Sequence, residues 1–141
     1  MRIHCGGSDG TRLYTEVPDD ETKEKGLYGP RQFEVRWRHS DDTSTKVGTF
    51  ALEPMPGCCG IVVSKGSYLE PNQRSQHNIS RWFHDLKALT AKHFGYSTML
   101  MTTQLRNFPE VCGASRSKWR FFHAFRNKRT DNDIGIAVKD L

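Results

Sequence analysis

The feature that most constrains this chain is a change of period near residue 78. Upstream, Phe33-Glu34-Val35-Arg36-Trp37-Arg38-His39 alternates apolar and polar residues, the period-two signal of a half-buried strand. Downstream, Ile79, Trp82, Phe83, Leu86, Leu89 and His93 recur at three- and four-residue spacing, with Arg81, Asp85, Lys87 and Lys92 falling elsewhere. The spacing predicts one long helix from His77 or Asn78 to His93, with Ile79, Phe83, Leu86 and Leu89 in the core. Asn78 is its expected N-cap and Gly95 its stop. Tyr96 to Thr103 then reads as a buried central strand. Strand, helix and strand in succession call for a parallel crossover.

Around that unit the pattern is antiparallel. Thr11 to Val17 reads as a short strand after the Gly6–Gly10 loop, and carboxylates behind Pro18 suit a helix first turn. Ser40–Ser44 is a turn, and Lys46 to Leu52 returns as the second strand of a hairpin. Gly60 to Val63 begins a third strand that continues to Leu69 past an irregularity at Gly66. Asn107 to Glu110 starts a short helix or turn. Lys118 to Phe125 and Asp133 to Val138 form a terminal hairpin around Asn127–Asn132. Trp37, Phe50, Trp82, Phe83, Trp119, Phe121 and Phe125 are expected in the core, since stripes at strand or helix spacing are usually packing. The expected fold is α+β, with a mixed, mainly antiparallel sheet.

At 141 residues, with 11% aromatic residues, the chain suits one packed domain rather than a disordered segment. No apolar run approaches the roughly 18 residues of a membrane span, and the start has no apolar leader. The cysteines at 5, 58, 59 and 112 show neither a CxxC pair nor a repeated spacing, which predicts reduced thiols in a cytoplasmic protein. No metal is expected, because a zinc set drawn from Cys5 or Cys58 with histidines lacks the usual ligand spacing. Residues 1–70 hold 9 basic and 11 acidic side chains, whereas residues 71–141 hold 12 basic and 5 acidic. All the positive excess therefore lies in the second half, as a phosphate-bearing ligand or nucleic acid would require.

The junction Leu69-Glu70-Pro71-Asn72-Gln73-Arg74-Ser75-Gln76-His77-Asn78-Ile79 resembles the acyl-CoA loop of the GNAT superfamily of N-acetyltransferases. That loop runs Val-x-Pro-x-x-Arg-Gly-x-Gly-x-Gly/Ala; Leu69, Pro71 and Arg74 match it, and Ser75, His77 and Ile79 replace its glycines. The resemblance continues in order through Phe94-Gly95-Tyr96, the strand Met99–Thr103, Asn107, and Lys118 to Phe125, a strand similar to the family's aromatic one. It covers residues 60–141, leaving residues 1–31 as a divergent N-terminal part of a single domain 1–141. The compact size is similar to that of small phage-encoded members.

The resemblance implies a central strand splayed from its neighbour ahead of the helix, and acyl-CoA, as acetyl-CoA, for the co-substrate. The amides of Arg74, Ser75, Gln76, His77, Asn78 and Ile79 would cradle the pyrophosphate at the helix start, with Arg74 adding charge. Tyr68 and Leu69 would pair with the pantetheine through free backbone groups, and Asn107 would contact it. Attack of an amine on a thioester needs a base, for which Glu70 and Glu53 are the candidates. Cys112 is the candidate acid, since the tyrosine that many members carry after the Asn is missing.

Three functions compete on this reading. The first is direct acyl transfer to an amine whose identity the sequence does not give. The second is a non-catalytic protein of this fold, serving as a binding or accessory virion component. The third is a nucleic-acid module using Arg116, Lys118, Arg120, Arg126, Lys128 and Arg129 among Trp119, Phe121 and Phe122, although strand alternation alone would give one wet and one dry face there.

Overall fold

The computed structural model describes residues 1–18, 26–104 and 119–141, with backbone only at 103–104. The first-turn reading behind Pro18, the turn at Asn107 and the position of Cys112 lie outside the described residues. Among the described residues eight strands form one sheet: β1 (Arg2–Cys5), β2 (Leu13–Glu16), β3 (Arg31–Arg38), β4 (Ser44–Pro54), β5 (Ile61–Leu69), β6 (Thr98–Gln104), β7 (Arg120–Asn127) and β8 (Asn132–Asp140). Their spatial order is β1-β2-β3-β4-β5-β6-β8-β7. Only β5 and β6 run parallel, joined by helix α1 (Ile79–His93); every other pairing is antiparallel. This is the α+β, mainly antiparallel arrangement read from the sequence, with α1 the single helix among the described residues. It is not long and apolar enough to cross a membrane.

The strand boundaries follow side-chain alternation. Phe33, Val35 and Trp37 of β3 are buried while Glu34 is exposed, and Phe50 and Leu52 continue that inner face on β4. The helix lies against it through Ile79, Phe83 and Leu86. Phe50 stacks on Phe33 at 5.1 Å and meets the edge of Phe83 at 6.0 Å. Such pairs contribute about 0.5–1.5 kcal/mol beyond their buried area. Strand β1 was not legible in the sequence: four residues hold too little alternation to signal, yet Ile3 is buried and Arg2–Cys5 pairs with β2.

Two expectations about the core are corrected. Leu89 is 41% exposed, whereas Lys87, Thr90 and Ala91 are buried. The inward stripe is Ile79–Phe83–Leu86–Thr90–Ala91, and Lys87 lies within it; Trp82 and Leu89 belong to its flank. Phe121 and Phe125 are also exposed, as is Phe122, because β7 is the terminal strand of the sheet and is exposed at nearly every position. Trp82 and Trp119 are only partly buried.

The helix ends as expected and starts otherwise. Gly95 takes φ +90, and the amides of Gly95 and Tyr96 donate to Lys92 and Ala91 carbonyls, closing the last turn. Asn78 does hold the N-cap position, but at φ 57 and with no side-chain capping bond. His77 before it is also left-handed, at φ 55. A left-handed non-glycine residue costs about 1–2 kcal/mol, less for Asn. The chain thus spends conformational energy to turn sharply into α1.

Candidate active site

The site begins with a fault in β5. Ile61–Ser64 pairs with Thr98–Met101 of β6, and the parallel ladder stops there. Against β4 the register jumps between Thr49 and Ala51, so Gly66 and Ser67 are extra residues opposite Phe50. Gly66 sits at φ +57, a conformation that glycine alone takes without strain, and a Cβ there would meet only Ala51 at 3.9 Å. The backbone angle, not space, calls for glycine. Beyond the bulge β6 pairs only with β8, so the two strands part. Lys65 to Leu69 therefore keep one edge without a strand partner among the described residues.

A groove follows the parting. A cavity of about 460 Å³ lies at its inner end, lined by Ser64, Gly66, Ser67, His84, Lys87 and Met101 among others. A second, of about 240 Å³, continues outward along Ser67, Tyr68, Leu69, Arg74, Ser80 and His84. Ser67 and His84 line both, so the two adjoin. Neither lining contains an acidic residue among the described ones.

At the outer end the loop is a run of consecutive turns. The amides of Gln73, Gln76 and Ile79 donate to Glu70, Gln73 and Gln76 carbonyls at 2.9, 3.1 and 3.0 Å. Those of Arg74, Ser75, His77 and Asn78 have no backbone acceptor among the described residues. Arg74 donates through Nε to the Leu69 carbonyl at 3.0 Å, which holds its guanidinium over the groove. Ser75 and Gln76 are exposed, and Gln76 donates to the Asn72 carbonyl at 3.2 Å.

The structure divides the residues read from the sequence. Tyr68, Leu69 and Arg74 come together in the outer groove. His77 and Asn78 face the other side of the loop, into a 590 Å³ cavity lined also by Arg12, Trp37, Arg38 and Trp82; there His77 stacks on Trp37 at 4.6 Å. Ile79 leaves the set of amides expected to cradle the pyrophosphate: its side chain is fully buried in the core and its amide already donates to the Gln76 carbonyl. Glu53 is ion-paired with Lys65, at the groove's inner rim. Glu70 is half-buried beside the groove and lines neither cavity. Asn107 and Cys112 fall outside the described residues.

Two residues went unread. His84 and Lys87 line the inner cavity. Lys87 is fully buried, donates to Ser67 Oγ and places its Nζ 4.6 Å from the centre of the Phe83 ring. Burial pulls its ammonium down to about 7. Burial, and secondarily the Lys87 charge, pulls His84 down to about 3, so its ring is neutral near pH 7. The small residues Thr90 and Ala91, counted as part of the inward stripe, would have placed Lys87 inside.

Elsewhere the chemistry is quiet. Cys5 donates to the Trp82 carbonyl at 3.3 Å, and burial, then Asp85, pushes its thiol up to about 12. No cluster of three or more metal-binding side chains occurs among the described residues. In the terminal hairpin Arg120 pairs with Asp140 at 3.2 Å and Arg126 with Asp131 at 2.5 Å, so part of the basic excess there is neutralised.

No family model matches the sequence. No curated protein matches it either. Solved structures do match the fold. One from Chromobacterium violaceum, described as a probable acetyltransferase of the GNAT family, aligns over 99% of this chain and 90% of its own at 15% identity, with a TM-score of 0.59. An N-acetyltransferase from Staphylococcus aureus aligns over 79% of this chain and 67% of its own at 16% identity and TM-score 0.56. A spermidine N-acetyltransferase chimera from Vibrio cholerae aligns over 84% of this chain and 71% of its own at 9% identity and TM-score 0.59.

Proposed function

The chain has the fold of the GNAT acetyltransferases, and we propose that it works as one: an N-acyltransferase moving an acyl group from acyl-CoA to an amine. The observation that carries this reading is the parting of β5 from β6 beyond Ser64 and Met101, with a groove running from it to Arg74 at the head of α1. A strand edge left unpaired accepts an extended ligand as it would another strand. In this reading the pantetheine amides pair along Lys65 to Leu69, with Tyr68 and Leu69 flanking them. The pyrophosphate meets Arg74 and the loop amides of Ser75, His77 and Asn78, which have no backbone acceptor among the described residues.

The acceptor amine attacks the thioester carbonyl from the opposite face of the sheet, where no helix lies among the described residues. A base takes one proton from the ammonium to free the amine; the C–N bond then forms, the C–S bond breaks, and a second proton lost from the nitrogen ends on the departing thiolate by way of the acid. Glu53 is the better placed base of the two carboxylates, since its partner Lys65 lines the inner cavity. Cys112 and Asn107 keep their proposed roles as acid and pantetheine contact.

Isothermal titration with acetyl-CoA and desulfo-CoA tests the reading. Micromolar binding is expected for both. Arg74→Glu should abolish it while changing stability by less than about 1 kcal/mol, because an exposed side chain loses one hydrogen bond. Unchanged affinity in that variant removes this loop from the site, and no affinity in the parent protein favours a non-catalytic role.

A further inference from the structure

We propose that the inner cavity is a carboxylate site, built to hold the carboxylate of a substrate against Lys87. The inference rests on the acyltransferase reading and adds the substrate class. Three residues that carry buried polar groups, Ser64, His84 and Lys87, line this one cavity. Lys87 Nζ has Ser67 Oγ as its hydrogen-bond partner and no carboxylate facing it among the described residues. Ser64 Oγ and His84 Nδ1 are buried without any partner among the described residues. Buried polar groups are nearly always bonded, and a buried cation without a counter-charge is among the costliest arrangements in a protein.

One ligand group carries enough acceptor sites for all of them. A carboxylate offers two oxygens and about four lone-pair sites, so it can accept from the ammonium, a hydroxyl and an imidazole N–H together. His84 is neutral, so it can supply one such N–H. Burial disfavours the Lys87 ammonium, and a carboxylate beside it favours the charged form again. Val63 and Met101 supply the apolar part of the lining, and Lys65 and Thr102 its exposed rim.

Position indicates which substrate carries the group. The cavity starts where the β5–β6 ladder ends, at Ser64 and Met101, and the outer groove leads away from it to Arg74. With the phosphates at Arg74, the thioester end reaches the inner cavity. The carboxylate then belongs to a dicarboxylic acyl chain such as succinyl. An amino-acid acceptor is the other source of the same chemistry.

Titration of the full chain separates these sources. Succinyl-CoA should bind at least about tenfold more tightly than acetyl-CoA, and Lys87→Met should erase that difference, measured as the ratio of the two affinities within the variant. If the protein loaded with desulfo-CoA instead prefers glycine over ethylamine, and Lys87→Met removes that preference, the carboxylate is the acceptor's. Should Lys87→Met fail to fold, the parent protein's own preference between succinyl- and acetyl-CoA, and between glycine and ethylamine, decides. Normal CoA binding with no preference in either pair overturns the carboxylate site alone. No CoA binding at all overturns the acyltransferase reading with it.

Discussion

Strand β5 is one strand with two regimes. Ile61 to Ser64 is held between β4 and β6, and Val62 and Ser64 are buried. Among the described residues Lys65 to Leu69 pairs with β4 alone, around a bulge, with Tyr68 47% exposed. The first half behaves as core and the second as the wall of a groove. Ten residues further on, α1 repeats the division: Ile79 and Leu86 are buried among apolar side chains, while His84 and Lys87 face the groove. A fold that could have closed its sheet completely keeps one seam open and lines it with polar groups.

The comparison can be broken by experiment. The largest effect belongs to the seam itself. Lys87 falls from an ordinary 10.5 to about 7 on folding, so between those values the unfolded chain binds more protons and stability must rise with pH. Going from pH 7 to pH 9 should stabilise the parent protein over Lys87→Met by on the order of 2 kcal/mol, measured by denaturant unfolding of both. An equal pH dependence in the two proteins would mean Lys87 is not held in the dry seam.

Next comes the contrast within β5. Val62→Ala removes two buried methylene equivalents and leaves a cavity, which should cost about 2 kcal/mol. Tyr68→Ala should cost less than about 1 kcal/mol, yet weaken CoA binding more than Val62→Ala does. Chemical denaturation and calorimetry on the two variants check this, and a reversal of the order would erase the distinction between the halves.

The smallest effect is expected at the loop. His77→Gly relieves a left-handed residue but loses the stack on Trp37. These terms are of similar size, about 1 kcal/mol each, so stability should shift by less than about 0.5 kcal/mol while Trp37 fluorescence changes. A large loss of stability would make the Trp37–His77 stack, rather than the turn, the element that fixes the loop.

Much of this was legible in the residues. The alternation of Phe33 to Trp37, the helical spacing from Ile79, and the position of Gly66 located the hairpin, α1 and the bulge, because each obeys a local period or a backbone rule. Leu69, Pro71 and Arg74 pointed to the outer groove. Lys87 was unreadable for a different reason. A lysine inside a helical stripe conflicts with the pattern that defines the stripe, so period alone assigns it to solvent; only packing against Ser67 and Phe83 reveals its place. Phe121 and Phe125 misled in the opposite sense, since aromatic alternation predicts a dry face whether or not anything covers it. The left-handed His77 and Asn78 were hidden by side chains where the related pattern has glycine or no constraint.

The central claim is that the open edge of β5 and the loop before α1 bind CoA, and backbone amide exchange measured with and without saturating CoA tests it most directly. The account predicts slowed exchange at Gly66 to Leu69 and at Arg74, Ser75, His77 and Asn78, with no change along Arg31–Arg38 or Ile61–Ser64. CoA bound with unaltered exchange at Gly66 to Leu69, or protection confined to other strands, would contradict it.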